Sequence, residues 1–100
     1  MDWQKLIEDA AKRIEPYIVK TPTFTTNNII DNFDIELKFE HLQHTGSFKP
    51  RGAFNSLLST DAPKAGVVAA SGGNHGAAVA YAATKLNLPA HIFVPEIAGQ

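Results

Sequence analysis

The most constraining feature of the sequence is a glycine-rich turn that lies between a short apolar run and an alanine-rich segment. Gly66 to Ala70 is continuously apolar, which predicts a strand buried on both faces of a parallel sheet. Residues 77–86 carry apolar side chains at helical spacing, and Ala90 to Val94 is a second apolar run. Strand, helix and strand within about 30 residues predict a βαβ unit with a right-handed crossover. The chain is therefore expected to be α/β, with an open parallel sheet and flanking helices.

The turn itself, Ser-Gly-Gly-Asn-His-Gly at 71–76, is typical of an anion site. Unpaired N–H groups and the helix dipole favour a negative charge at such a strand-to-helix turn, and glycines let the backbone approach a ligand. Asn74 offers a side-chain donor and acceptor, and His75 a titratable donor. A purely structural interpretation stays open, in which the glycines make a tight turn and Asn74 or Ser71 caps the helix. The spacing fits neither GxGxxG nor a P-loop, so a nucleotide is disfavoured.

A second motif, Gly-Ser-Phe-Lys-Pro-Arg-Gly-Ala at 46–53, places one lysine at the start of a predicted helix over 50–59. Pro50 suits the first helical position, and an apolar face follows behind it at Phe54, Leu57 and Leu58. Lys49 would then lie at the mouth of the helix, away from that face. The positive end of the helix dipole disfavours an ammonium there and so favours a neutral, nucleophilic amine. From this motif alone, an ordinary solvated lysine is the favoured interpretation.

The remaining segments predict a helix, a strand and two connections. Apolar residues at helical spacing predict a packing helix over residues 3–14, with Asp2 as N-cap and Pro16 as its stop. Residues 17–26 are expected to be an extended connection because of Pro22, and 27–33 to hold a helical turn or two. Alternation over 34–40 predicts a strand, and the break at 60–63 a domain boundary.

Charge and composition exclude several kinds of partner and site. The net charge is −1 and no basic block is present, so neither a nucleic acid nor a membrane surface is expected as a partner. The amphipathic first residues do not form a signal peptide, and no apolar window is long enough for a membrane span. The absence of cysteine excludes disulfides and thiolate metal sites, and it fits a cytoplasmic location. The four histidines have no metal-ligand spacing, so no metal is expected.

The two motifs together resemble the pyridoxal-phosphate enzymes of fold type II, the tryptophan-synthase-β type. Within that group, residues 46–53 and 71–76 are similar to the threonine/serine dehydratase and serine racemase branch. Lys-Thr-Pro at 20–22 and Leu-Pro-Ala at 88–90 match as well, so the resemblance covers the whole chain in order. It implies an incomplete three-layer fold type II architecture, pyridoxal 5'-phosphate as cofactor and an amino acid as the small-molecule substrate.

The resemblance also implies roles for individual residues. Lys49 would bind the cofactor covalently and, once released, remove the α-proton of the substrate. Phe48 would lie against the pyridine ring, and Asn74 would hydrogen-bond the 3′ oxygen of the cofactor. The residues that match the substrate-carboxylate loop are Ser71, Gly72, Asn74 and His75. The implied reaction converts L-threonine or L-serine to a 2-oxo acid and ammonia.

One departure from the racemases favours dehydration. The residue before Gly-Asn-His is a serine in the racemases and acts as the base on the opposite face, whereas Gly72 has no side chain here. A serine or aspartate racemase ranks second, together with other type II lyases or synthases, in which an aspartate usually follows the lysine in place of Pro50. A non-catalytic anion-binding α/β module is the alternative from another class.

In the family, the glycine-rich phosphate cup lies downstream of the matching positions. The resemblance therefore assigns residues 1–62 to the start of the large domain and 63–100 to the start of the small domain. A part of each domain buries little apolar surface, so the 100-residue chain alone is expected to be marginally stable and inactive. The full-length protein is expected to be a homo-oligomer.

Overall fold

The computed structural model describes residues 1–98, in which helices and short strands alternate. The last two residues of the predicted segment 63–100 lie outside this range. None of the helices within residues 1–98 is long and apolar enough to cross a membrane. The helices are α1 (Trp3–Ile14), α2 (Lys49–Ser59) and α3 (Asn74–Lys85), and the strands are β1 (Thr23–Thr26), β2 (Ile35–Lys38), β3 (Val67–Ala70) and β4 (Ala90–Phe93). The α/β class is confirmed.

The predicted βαβ unit is present as β3, α3 and β4. The two strands pair in parallel, with Val67 opposite Ala90 and Ala70 opposite Phe93. The helix begins at Asn74, three residues before the predicted start, because Gly73 takes the N-cap position. The Ser71 side chain closes the turn by accepting a hydrogen bond from the Gly73 N–H at 3.2 Å.

The expectation that both strands are buried on both faces is wrong for the described residues. Burial alternates along β3 and β4, and Val68 is 68% exposed and Phe93 65% exposed. The alternation arises because α3 covers only one face of this two-stranded sheet. The opposite face therefore presents large apolar side chains to the surroundings.

The predicted strand over 34–40 is confirmed as β2, but it does not join the parallel sheet. It pairs antiparallel with β1, with Phe24 opposite Leu37, so the expected extended connection over 17–26 ends in a strand. Among residues 1–98 the parallel sheet therefore has two strands, and the antiparallel pair forms a separate sheet.

The helical turns expected over 27–33 are absent from the structure, which has bends and a turn there. Asn32 adopts a left-handed conformation with φ of 66°, which a helix cannot contain. Ile29, Ile30 and Phe33 are all more than half exposed. Without apolar packing, so short a segment gains too little to offset the cost of helix nucleation.

Helix α1 has the predicted bounds and cap. The Asp2 carboxylate accepts a hydrogen bond from the Lys5 backbone N–H at 3.0 Å, and a 3₁₀ turn containing Pro16 follows the helix. Its packing role is confined to the C-terminal end, where Ile14 is buried. Trp3 and Ile7, on the same apolar stripe, are 68% and 67% exposed.

The core lies between α2 and α3 and joins the N-terminal segment to the βαβ unit. Phe54 of α2 is fully buried, with the Tyr17 ring stacked at 5.0 Å and the Tyr81 ring edge-on at 6.1 Å. Ala78 and Ala82 of α3 are fully buried as well. Their small side chains allow the two helices to approach closely.

Gly76→Ala tests how closely α3 packs on the sheet. A Cβ at this position would lie 2.9 Å from Ile92 Cγ2 and 3.2 Å from the Ser71 carbonyl oxygen. We expect the free energy of unfolding, measured by urea denaturation, to fall by about 1–3 kcal/mol.

Gly52→Ala is the matched control, because a Cβ there meets no atom within 4 Å and the residue lies inside α2. The control is expected to leave the stability unchanged or to raise it by about 0.5–1 kcal/mol. Equal losses in the two variants would contradict the packing role of Gly76.

Candidate functional site

The lysine motif opens α2, and Lys49 is the first residue of the helix. Phe48 occupies the N-cap position without a side-chain hydrogen bond, and the Lys49 backbone N–H donates to Ser47 Oγ at 3.3 Å. Pro50, predicted as the first helical residue, is the second and is fully buried. The Lys49 side chain is half-buried at the positive end of the helix dipole, as the sequence predicts.

The loop before Lys49 is held against α3. Thr45 and Gly46 both have positive φ, 62° and 77°, which reverses the chain direction just before the helix. A positive φ is unusual for a β-branched residue and requires support from surrounding contacts. His44 supplies such a contact by stacking on Tyr81 with ring centroids 4.7 Å apart. The loop that leads to the lysine is thereby tied to the helix of the second motif.

The second motif opens α3, with Asn74 as its first residue and Gly73 as the N-cap. No side chain caps this helix, so the capping by Asn74 or Ser71 that belongs to the purely structural interpretation is absent. The position where Gly73 would carry a Cβ has no atom within 4 Å, which leaves open space beside the first turn. Gly76 differs, because it is buried against Ile92 and the turn and therefore serves packing rather than ligand approach.

One cavity brings the two motifs together. It has a volume of about 430 Å³, and Lys49 from α2 and His75 from α3 both line it. The other lining residues come from α2, β3 and α3 and are mostly apolar: Gly52, Ala53, Ser56, Leu57, Val67, Val68, Ala69 and Val79. An amine and an imidazole thus share a largely apolar cavity, although they are 26 positions apart in the sequence.

The other candidate residues, Phe48, Ser71, Gly72 and Asn74, do not line this cavity. Ser71 and Gly72 line a second, open cavity of about 550 Å³ together with Phe93 of β4. Asn74 is exposed at the start of α3. The Phe48 ring is 60% exposed, and its centroid lies 5.4 Å from Lys49 Nζ, so an aromatic face is available beside the amine.

Sequence reasoning missed a polar cluster behind the lysine motif, centred on Glu40. Its carboxylate accepts hydrogen bonds from Arg51 Nε, from Thr21 Oγ1 at 3.1 Å and from Gln43 Nε2 at 3.4 Å. Burial raises the pKa of Glu40, but these hydrogen bonds and the Arg51 charge outweigh it and hold the pKa below its ordinary value. Thr21 belongs to the Lys20-Thr21-Pro22 segment and Arg51 to the lysine motif. Both segments had been singled out from the sequence, and this was the only sequence-based indication of the cluster.

Comparison with known proteins identifies the family. Residues 14–100 match the family described as pyridoxal-phosphate dependent enzyme. The chain belongs to this family. Its cofactor is therefore pyridoxal 5'-phosphate, in agreement with the resemblance of the two motifs.

Individual relatives perform different reactions on amino acids. The chain is 47% identical over 96 residues to a serine racemase of Dictyostelium discoideum, covering 92% of this chain and 30% of that protein. It is 47% identical over 90 residues to an L-threo-3-hydroxyaspartate ammonia-lyase of a Pseudomonas species, covering 86% and 28%. It superposes on a solved pyridoxal 5'-phosphate-dependent aspartate racemase with a TM-score of 0.87 and 37% identity, covering 97% and 32%. The chain thus spans about a third or less of the length of these proteins.

The residues around the cavity suit pyridoxal phosphate chemically. Lys49 supplies a primary amine that can bind the cofactor aldehyde, Phe48 an exposed ring face, and Asn74 an amide donor. The open space at Gly73 leaves room for a ligand at the first turn of α3. Within residues 1–98, no group of three histidine or acidic side chains is arranged to hold a metal ion.

Glu40→Gln tests the electrostatics of the cluster. The folded-state pKa lies below the ordinary value of 4.5, so ionised Glu40 contributes its full stability above that value. The contribution is lost as the pH falls through the folded-state pKa. We expect the variant to be less stable than the wild type at about pH 7, with the difference shrinking as the pH falls below the ordinary pKa of a glutamate, in urea denaturation.

Asp9→Asn is the control, because Asp9 pairs with Lys5 on the exposed surface of α1 and its pKa is also lowered, mainly by that hydrogen bond. Exposed pairs contribute little to stability, so a smaller effect is expected at every pH. A Glu40→Gln difference that stays constant with pH would contradict the assignment.

Proposed function

We propose that the chain is the N-terminal part of a pyridoxal-phosphate-dependent ammonia-lyase that converts L-threonine or L-serine to a 2-oxo acid and ammonia. The observation that carries the proposal is the single cavity shared by Lys49 and His75. The ammonia-lyase of the Pseudomonas species supports this type of reaction, since it is 47% identical to the chain.

Three residues would hold the cofactor. The Lys49 amine would form the covalent link. Because Lys49 is the first residue of α2, the helix that follows holds its backbone in place. Phe48 would lie against the pyridine ring, and the Asn74 amide would donate to the 3′ oxygen of the cofactor. Lys49 begins α2 and Asn74 begins α3. The packing of the two helices therefore determines the distance between the covalent link at Lys49 and the hydrogen bond from Asn74.

The substrate carboxylate would bind at the start of α3. Backbone N–H groups in the first turn of a helix have no intrahelical partner, and the helix dipole favours an anion there. No side chain caps this turn, so those donors stay available to a ligand. The proposed contacts come from Ser71, Gly72, Asn74 and His75.

Proton transfer is assigned to the Lys49 amine. Bound pyridoxal phosphate supplies an electron sink that makes the α-proton of the substrate acidic. Once the amino group of the substrate had displaced it, Lys49 Nζ would remove this α-proton and return it to the departing β-hydroxyl, which leaves as water. Hydrolysis of the enamine that remains would give the 2-oxo acid and ammonia. Gly72 has no side chain that could deliver a proton from the opposite face, so racemisation is disfavoured.

Three alternatives differ in what they predict for the same residues. A serine or aspartate racemase is favoured by the names of several relatives, and it requires a second base that Gly72 cannot provide. A different type II lyase or synthase would use Lys49 in the same way on another substrate. A non-catalytic anion-binding module would use the start of α3 but not the amine.

We also propose that the whole protein acts as a cytoplasmic homo-oligomer. The division into a large domain over 1–62 and a small domain over 63–100 is likewise part of this proposal. It is supported by the boundary between α2 and β3, where Thr60 to Pro63 separate the lysine helix from the βαβ unit.

Lys49→Ala tests the cofactor attachment. In the whole protein, pyridoxal phosphate is added, the covalent link is fixed with borohydride, and the modified peptide is located by mass spectrometry. We expect the wild-type adduct on Lys49, and in the variant loss of the adduct and a fall in dehydratase activity of at least about a thousandfold. Lys64→Ala, at an exposed position before β3, is the control and should retain both. An adduct on another lysine would refute the assignment.

Gly72→Ser tests the choice between dehydration and racemisation. Incubated with L-serine, the wild-type protein should form pyruvate with little D-serine, both measured by chromatography. A serine at position 72 supplies a proton donor on the opposite face, so we expect D-serine formation to rise by about 10²-fold. Substantial D-serine from the wild type would favour the racemase instead.

A further inference from the structure

We propose that Glu40 is a positioning residue for Lys49: through Arg51 it fixes the first turn of α2, and with it the backbone that carries the amine. The role rests on the proposed function, in which Lys49 binds the cofactor. It gives a purpose to the Glu40 cluster, which the proposed chemistry does not otherwise use.

The Glu40 carboxylate is mostly withdrawn from solvent and well supplied with donors. Its side chain is 17% exposed, and it receives hydrogen bonds from Arg51, Thr21 and Gln43. Thr21 is 3% exposed and Gln43 is 4% exposed. A carboxylate in such surroundings is stable only with its partners in place, so the geometry of the pair is sharply defined.

The frame that holds Glu40 is fastened together by hydrogen bonds that do not involve α2. The Gln43 side-chain amide makes two hydrogen bonds with the Val19 backbone: it accepts from the Val19 N–H at 2.9 Å and donates to the Val19 carbonyl oxygen at 2.8 Å. Lys38 Nζ donates to the Thr21 carbonyl oxygen at 2.9 Å. The segment before β1 and the loop after β2 are thus fastened to each other, and Glu40 projects from this fastened unit towards α2.

Arg51 connects Glu40 to the turn of α2 that carries Lys49. It is the third residue of α2, two positions after Lys49, and the residue between them, Pro50, is fully buried and has a restricted φ. With the Arg51 side chain bound and Pro50 buried, the backbone of Lys49 has little freedom to rotate or shift.

Glu40 acts at a distance from the reacting atoms. Arg51 lines a cavity between α1 and α2, whereas Lys49 lines the cavity that it shares with His75. Residues two positions apart in a helix are separated by about 200° around its axis, so Arg51 projects from nearly the opposite side of α2 to Lys49. The proposed effect of Glu40 on Lys49 therefore passes through the backbone of the first turn rather than through direct contact.

An ordinary stabilising ion pair would behave differently from a positioning pair. Loss of a merely structural contact lowers the stability and leaves the fully folded protein with unchanged rates. Loss of a positioning contact slows the reactions of the Lys49 amine even when all molecules are folded, because small misplacements of reacting groups are costly.

The test measures the rate at which Lys49 captures pyridoxal phosphate in the whole protein. Cofactor-free protein is mixed with pyridoxal phosphate, samples are quenched with borohydride at intervals, and the Lys49 peptide is quantified by mass. In folded Glu40→Gln, we expect both the capture rate and kcat with L-serine to fall about 10–100-fold, with KM little changed. The temperature is chosen so that circular dichroism shows every variant to be folded.

Further variants distinguish an effect that passes through Arg51 from a nonspecific effect of substitution. Arg51→Lys keeps the charge but not the planar fork, and combined with Glu40→Gln it should add no further loss if Glu40 acts through Arg51. Asp9→Asn breaks the exposed pair on α1 and should leave both rates unchanged. If Glu40→Gln does not fold, Thr21→Val, which removes one donor from the carboxylate, should slow capture several-fold.

The outcomes are distinguishable. Absence of any wild-type adduct on Lys49 would overturn the proposed function and the positioning role together. A wild-type adduct with unchanged capture rates in folded Glu40→Gln, or in Thr21→Val where the former does not fold, would overturn the positioning role alone. Additive losses in the Glu40→Gln, Arg51→Lys double variant would show that Glu40 does not act through Arg51.

Discussion

The packing of α2 on α3 is the contact on which the whole candidate site depends. Phe54 is fully buried at this contact between Tyr17 and Tyr81, and Ala78 and Ala82 allow the helices to approach. One motif opens each helix, so the packing brings Lys49 and His75 to the same cavity. Residues in two separate sequence motifs thereby become neighbours. The same contact joins the antiparallel β1–β2 segment to the parallel βαβ unit, and α1 adds only its last turn.

The parts of the fold that were predictable are those that local pattern determines. The period of apolar residues located α1 and α3, the alternation of side chains located β2, and the apolar runs located β3 and β4. Pairing could not be obtained in this way, because β1 is a four-residue strand with no distinctive pattern and its antiparallel partner is fixed by tertiary contacts. The two-sided burial expected for β3 was wrong for a related reason. An apolar run indicates what a strand can bury, whereas the neighbouring elements determine what it does bury.

In the candidate site, as in the fold, the features set by a local motif were predictable and those set by tertiary contacts were not. The motifs and their resemblance to a family were sufficient to select Lys49 and His75, which the structure brings to one cavity. The Glu40 cluster was not predictable, since its hydrogen bonds join residues 3 to 19 positions apart whose meeting depends on how three segments fold together. Gly76 is a case in which the motif suggested too much. Its lack of a side chain suggested that a ligand approaches the backbone there, but the structure explains the glycine by its close packing against Ile92 and Ser71. Both cases show that a motif identifies residue types but not the neighbours that give each residue its role.

The measurement that tests the central claim most directly is a crystal structure of the whole protein with pyridoxal phosphate. We expect continuous electron density between the cofactor and Lys49 Nζ, with the Phe48 ring against the pyridine ring and Asn74 within hydrogen-bond distance of the 3′ oxygen of the cofactor. It also predicts that the first turn of α3 faces the cofactor. Density that joins the cofactor to a different lysine, or a cofactor bound away from the start of α3, would contradict the claim that the two helix starts form one site.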